Sequence, residues 1–336
     1  MNASPLFTGD AGSGESEIRR WILENDWLEA LIALPEQLFY NTGIATYVWV
    51  LTNRKAPERK GKVQLIDATS FWTPMRKSLG DKRREIPRNK ADEIVSLLKG
   101  FKEGEHVKIF PTTHFGFRKI TVERPLRLNF QASPERIARL EDERTFRNLT
   151  VSKKKKADVK AKEEAEGRAE QEAIRKMVRS LPNTLYTDRK DFEKALNTAA
   201  KKADLKMSAS IKKSILSALS ERDETASTCF DKKGEPEADS DLRDTESVPL
   251  SEGIEEFFER EVKPHVPDAW IDTGKRDEKD GEVGVVGYEI NFNRYFYKYT
   301  PPRPLEEIEA DIRAIEKDIV LMLAEVTGTS LEEVVE

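Results

Sequence analysis

The residues of this chain best placed to do chemistry lie in two neighbouring stretches. The first is the run Leu34-Pro35-Glu36-Gln37-Leu38-Phe39-Tyr40-Asn41-Thr42-Gly43-Ile44, in which Pro35 opens a loop carrying the adjacent aromatics Phe39 and Tyr40. A loop at the end of a sheet is where a scaffold offers side chains to a ligand. The second stretch is basic: residues 54–90 hold twelve Lys or Arg against four Asp or Glu. Such a bias suits a phosphate backbone, with Lys77, Lys82, Arg83, Arg84 and Arg88 as the candidate contacts. A lysine-rich solubilising loop is the plainer alternative. The opposite bias appears at residues 221–261, with fifteen acidic residues against five basic. A uniform solvated surface does not sort charge in this way, so two different partners or faces are expected.

Other chemistry is excluded by residue type. The single cysteine, Cys229, rules out an intrachain disulfide framework and a multi-cysteine zinc site, and it reads as an inert thiol in a polar linker. His106, His114 and His265 lack metal-ligand spacing, so no metal is expected. The run Gly9-Asp10-Ala11-Gly12-Ser13-Gly14 precedes a helical pattern, as a nucleotide loop does. A dinucleotide loop, however, follows a strand and is matched by an acidic residue after the next strand, and a P-loop ends in Lys-Ser or Lys-Thr. Neither condition is met, and the run reads as a flexible loop capping the helix.

The elements that must position these residues follow from periodicity. Residues 17–25 place Ile18, Trp21 and Ile22 on one helical face, with Ser13 or Ser16 as N-cap. Residues 28–34, 45–51 and 62–67 read as strands, the first two as antiparallel neighbours because only ten residues separate them. Residues 91–98 and 134–149 read as helices and 115–122 as an aromatic-bearing strand. Residues 151–175 are almost wholly charged and helix-prone without a core-facing stripe. Further helical patterns surround 192–196 and 211–219, and the acidic stretch 231–247 reads as a mobile connection.

Apolar content returns at 254–262 and 283–299, and Pro301, Pro302 and Pro304 then introduce a last helix. Along it Leu305, Ile308, Ile312, Ile315, Ile319, Met322 and Val326 alternate spacings of three and four, a heptad seam with charged flanks. A narrow seam of this kind suits a helical partner, and packing within the chain is the alternative. Charged residues make up 35% of the 336 and hydrophobic ones 38%, a balance suited to a soluble protein. No apolar run reaches the length of a membrane helix and no signal-peptide pattern opens the chain, so a cytoplasmic protein is expected.

Several long blocks also resemble a family. Residues 4–9 (Ser-Pro-Leu-Phe-Thr-Gly), 12–16 (Gly-Ser-Gly-Glu-Ser), 18–21 (Ile-Arg-Arg-Trp) and 34–44 resemble the stretch after the catalytic motif in modification subunits of type I restriction-modification systems, which are adenine-specific DNA methyltransferases. Residues 115–127, 241–250, 261–272 and 287–297 are similar to later blocks of the same subunits, in the same order. The resemblance implies an α/β fold. It would be the trailing part of a class I S-adenosylmethionine-dependent methyltransferase (Rossmann-like) sheet, followed by a mainly helical C-terminal region with a coiled-coil-like last helix. Residues 1–70 would end the catalytic domain, 71–150 form a basic mixed extension, 151–240 a charged helical or linker region, and 241–336 a helical assembly region.

The activity so implied is methylation of the exocyclic amine of adenine in double-stranded DNA, using S-adenosyl-L-methionine. Such enzymes bind the cofactor on a glycine-rich loop after their first strand and hold the amine with an Asn/Asp-Pro-Pro-Tyr/Phe tetrapeptide. The sequence contains neither; its Pro301-Pro302 is flanked by Thr300 and Arg303. Because the amine's lone pair is delocalised into the ring, it needs acceptors to orient it toward the methyl group. The chain alone is therefore expected to be inactive and without cofactor, a C-terminal portion with no catalytic residue of its own. By position, Phe39 resembles the aromatic that stacks on the flipped target base, with Tyr40 as runner-up, a role suited to a base that has lost its neighbours; packing of Phe39 under the loop is the alternative. The implied partners are double-stranded DNA, a specificity subunit met by the heptad helix, a second modification subunit and, as an addition, a restriction subunit. The competing reading is a catalytically inactive remnant acting only in DNA binding or subunit assembly.

Overall fold

The structure, a computed structural model, describes residues 4–299 and 301–327; residues 1–3, 300 and 328–336, at the ends of the expected first and last segments and beside Pro301, lie outside the described residues. Its strands are β1 (Leu28–Leu34), β2 (Thr46–Leu51), β3 (Lys62–Asp67), β4 (Thr73–Leu79), β5 (Lys82–Glu85), β6 (Val107–Pro111), β7 (Gly116–Glu123), β8 (Leu128–Phe130), β9 (Ser220–Arg222), β10 (Asp244–Pro249), β11 (Trp270–Ile271) and β12 (Val285–Tyr288). One sheet runs in the order β2-β1-β3-β6. Its β1 is apolar at every position but Glu29, and the middle of β3, Val63 to Ile66 with Gln64 among them, is buried on consecutive residues, the signature of strands covered on both faces. The chain packs into two compact units, one of residues 1–30, 49–63 and 110–290, the other of 31–48, 64–109 and 291–336.

In the first unit β7 is central. It pairs antiparallel with β10 along one edge and with β11 and β12 along the other. The core beneath is Ile120, Val122, Val248, Phe258, Val262 and Ala269. A second core joins the helices Ala157–Arg179, Arg189–Lys202 and Ala209–Leu219 around Phe130, Phe146, Phe192 and Ile215.

Several expectations are corrected here. The stretch 231–247 is built into the fold rather than mobile: Asp239 is buried and Asp244 begins β10. The expected helical region 241–336 also contributes three strands, β10, β11 and β12, which complete the β7 sheet. The helix expected at 134–149 is broken into short turns, because Glu143 takes an extended conformation between Arg139–Asp142 and Arg144–Arg147. The charged helix does have a core-facing side, formed by Gly167, Gln171, Ile174, Met177 and Val178. Cys229 is buried in the first unit and not in a polar linker.

The helix expected at 17–25 spans Gly14–Glu24, after a single turn at Ser4–Phe7, and is capped by Ser13, whose hydroxyl accepts the Ser16 N–H at 3.4 Å. Its buried face is the expected one only in part: Ile22 is buried, but Ile18 and Trp21 are exposed, and Arg19, Arg20 and Leu23 are buried instead. The Arg19 guanidinium donates to the carbonyls of Tyr288 at 2.5 Å, Pro5 at 3.0 Å and Thr8 at 2.7 Å. A buried cation is tolerated when its donors are satisfied in this way.

Candidate nucleic-acid interface

The aromatic loop and the later part of the basic stretch, residues 64–90, meet in the second unit. Pro35 is buried at the end of β1, and Gln37 follows in the left-handed region at φ 60. The Gln37 N–H donates to the Gly43 carbonyl at 3.3 Å, closing the loop on itself, and Phe39 and Thr42 form a bridge within it. The basic stretch folds into the β4–β5 hairpin, whose Leu79 and Lys82 pair across a Gly80-Asp81 turn. Three backbone bonds hold loop and hairpin together. Asp81 N–H donates to the Tyr40 carbonyl at 3.0 Å, and Arg83 and Arg84 N–H donate to the Gln37 carbonyl at 3.0 and 3.2 Å. Gly80 sits at φ 61, and a Cβ there would come within 2.4 Å of the Tyr40 oxygen, so the close approach requires glycine.

This frame presents the side chains. Phe39 is 45% exposed and Tyr40 63%, so neither ring is core. The Lys82 ammonium lies 5.2 Å from the Tyr40 ring centroid, and the Arg84 guanidinium lies 4.0 Å from that of Trp72. Lys82 and Arg84 are alternate residues of β5 and so share one face of it. Contacts of this kind contribute about 0.5–1 kcal/mol at exposed sites while leaving the cations in reach of an anion. Lys77 on β4 and Arg83 are exposed and make no ion pair among the described residues. Arg88 is not part of the group: it opens the Arg88–Gly100 helix and pairs with Asp92 at 3.2 Å.

Trp72 carries no sequence signal of its own that marks it as a site residue. The Gly-Asp pair between two basic runs is the hairpin signal that leads to it, because β4 and β5 then bring Arg84 back toward the start of the hairpin. The remaining candidates behave differently. Leu305, Ile308, Ile312, Ile315, Ile319, Met322 and Val326 fall on the helix Leu305–Thr327, and none is buried. His106 packs edge-on against Phe71, and His114 stacks on Phe110. Among the described residues no group of three or more His, Cys, Asp and Glu is arranged to hold a metal ion, and no helix is long and apolar enough to cross a membrane. The glycine-rich run does not fit a nucleotide cofactor. Carbonyls of Thr8 and Gly9 are turned onto Arg19, and a Cβ at Gly12 would touch Val285, so its space is filled by the protein itself.

The chain is similar to known proteins over part of its length. Residues 2–116 match the family described as N-6 DNA Methylase. A stretch of 127 residues is 28% identical to the type I restriction enzyme MjaIX methylase subunit of Methanocaldococcus jannaschii, covering 38% of this chain and 22% of that one. The MjaVII methylase subunit of the same organism is 47% identical over 69 residues, covering 20% of this chain and 11% of that one. The chain thus spans less than a quarter of the length of these relatives, 22% and 11% being aligned. A crystal structure of the type I restriction-modification system methyltransferase subunit from Streptococcus thermophilus aligns over 34% of this chain and 22% of that one, at 21% identity and a TM-score of 0.29.

Proposed function

We propose, on the match of residues 2–116 to the family described as N-6 DNA Methylase, that the chain is the C-terminal portion of a type I restriction-modification methylase subunit. The complete subunit would transfer a methyl group from S-adenosylmethionine to the exocyclic amine of adenine in double-stranded DNA. This portion supplies the surface that receives the target base and the adjoining backbone. The observation that carries the reading is the clamp between loop and hairpin: one set of backbone bonds fixes two exposed aromatics beside Lys82, Arg83 and Arg84. A base drawn from the duplex loses its stacking neighbours, and an aromatic face replaces them while the cations meet the phosphates on either side.

Binding of the cofactor is assigned to the part of the longer subunit that this chain does not span, since the glycine-rich run here is occupied by Arg19 and Val285. No catalytic residue is assigned to this chain. The partners we propose are duplex DNA, a specificity subunit, a second methylase subunit and, in the restricting complex, a restriction subunit. A second reading, assembly or DNA binding without catalysis, is favoured by the exposed seam of the last helix. Rebuilding the full-length subunit separates the two. Stacking contributes about 1–3 kcal/mol per base in single-stranded recognition. Phe39→Ala should therefore lower methylation roughly tenfold or more, with complex assembly retained and with a milder effect from Tyr40→Ala. Methylation unchanged by both substitutions would defeat the base-receiving role.

A further inference from the structure

A second basic surface lies in the other unit. Residues 144–156 contain six basic residues (Arg144, Arg147, Lys153, Lys154, Lys155 and Lys156) and no acidic one, in a chain whose net charge is -5. All six are exposed, and none forms an ion pair among the described residues. The lysines that follow are different: Lys160 and Lys162 lie 3.8 and 4.0 Å from Glu164 and Glu166 on the same helix.

The stretch is also fixed in place. The Ser152 hydroxyl donates to Glu163 at 2.5 Å, and the Lys154 N–H donates to the Ser152 oxygen at 3.1 Å. Gln171 donates to the Phe146 carbonyl at 2.8 Å. Gly167, in the middle of the Ala157–Arg179 helix, lets the Leu149 carbonyl approach so closely that a Cβ would lie 1.8 Å from it. Glycine in a helix interior is costly and is kept here by that contact. A solubilising lysine run needs no such attachment. Holding four ammonium groups side by side raises their mutual repulsion, which a closely spaced polyanion relieves.

We propose that residues 144–156 form a second contact to the phosphate backbone of duplex DNA, in addition to the β4–β5 hairpin. The proposal rests on the reading of the chain as a DNA-binding part of a methylase. A lysine ammonium meets a phosphate as a point charge, and phosphate contacts carry no sequence information, so this contact is independent of sequence.

The test is binding of the whole chain to a random-sequence duplex oligonucleotide across a salt series. Replacing Lys153, Lys154, Lys155 and Lys156 together by alanine should flatten the slope of log K against log salt by roughly 0.9 for each phosphate no longer neutralised. Lys160→Ala with Lys162→Ala should leave the slope unchanged. Circular dichroism checks that the fold persists. A slope unchanged by the fourfold substitution, while Lys82→Ala with Arg83→Ala and Arg84→Ala reduces it, overturns this second surface and leaves the functional reading standing. An equal effect from the Lys160 and Lys162 pair overturns it too, since bulk charge would then be the cause. Absence of duplex binding by the unaltered chain at low salt overturns both the second surface and the functional reading.

Discussion

The guanidinium of Arg20 meets the carboxylate of Asp277 at 2.8 Å, and both side chains are almost wholly withdrawn from solvent. The Gly14–Glu24 helix is thereby joined to the turn that leads into β12, where Asp277 also accepts the N–H groups of Val286 at 2.9 Å and Lys279 at 3.0 Å. Burial opposes the charge on Asp277, but Arg20 and the backbone donors outweigh it and hold its pKa down to about 2. Burial opposes the charge on Arg20 as well, and there Asp277 and Glu24 prevail, so its pKa is raised.

A pH dependence follows. The folded-state pKa of Asp277 lies below its unfolded value, so its contribution is complete above the unfolded pKa and is lost as pH falls toward about 2. The contribution at neutral pH is about 2 kcal/mol by linkage. Removing the carboxylate outright also takes from Arg20 its one buried partner while Glu24 and Glu17 still meet it, so the added cost stays below the about 3–5 kcal/mol of a wholly unpaired buried ion. Urea unfolding of the wild type and of Asp277→Asn, followed from neutral to acid pH, should show a gap that narrows below about pH 4. A gap that stays constant into strong acid would exclude Asp277 as the titrating group.

Gly80→Ala tests the clamp between loop and hairpin. The new Cβ meets the Tyr40 carbonyl and the backbone must hold a positive φ, so the turn has to move away. The amides of Asp81, Arg83 and Arg84, which donate to Tyr40 and Gln37, should lose hydrogen-exchange protection, and binding to duplex DNA should weaken. Retained protection at all three amides would mean that the loop does not depend on the hairpin.

How much of the fold is legible in the sequence depends on how local each signal is. β1 stands out because its run is apolar but for Glu29, β3 because Val63, Leu65 and Ile66 crowd into a short segment, and the seam of the last helix because its spacing is unbroken. β10 is hidden because Asp-Thr-Glu-Ser-Val-Pro has one core residue, Val248; its pairing is supplied by β7, more than a hundred positions earlier. The periodicity of the Gly14–Glu24 helix places Ile22 correctly but misleads about the rest of its buried face, because Arg19 and Arg20 are buried by groups far along the chain, Tyr288 and Asp277. The loop residues Phe39 and Tyr40 are visible from their type alone, whereas the contact of Arg84 with Trp72 depends on the hairpin fold.

Cys229 gives a probe of the first unit. Burial raises its pKa despite the nearby Arg189, and its backbone is paired through Leu126 and Glu237. Reaction requires the thiolate and access to reagent, and both are suppressed. A disulfide reagent at neutral pH should label the thiol only as the unit opens, with the rate following denaturant concentration. Rapid labelling of the native chain would show that this region opens without unfolding.

The last prediction concerns the helix Leu305–Thr327. Ile312 and Ile319 occupy equivalent seam positions one heptad apart with Ile315 between them, and all three are about half exposed, at 51%, 47% and 58%. Exposed isoleucines contribute little to the stability of the chain that carries them, so Ile315→Glu should leave its unfolding transition and circular dichroism unchanged. In an interface, the same substitution strands a charge among apolar groups and costs several kcal/mol, on the order of the penalty for an unpaired buried ion. If this stripe meets the specificity subunit, Ile315→Glu should abolish co-purification with it. Glu306→Ala and Glu307→Ala, off the seam, should have little effect, since exposed charge pairs contribute at most about 1 kcal/mol. An Ile315→Glu chain that melts early while the complex still forms would place the seam in the protein's own core and remove it as the partner surface.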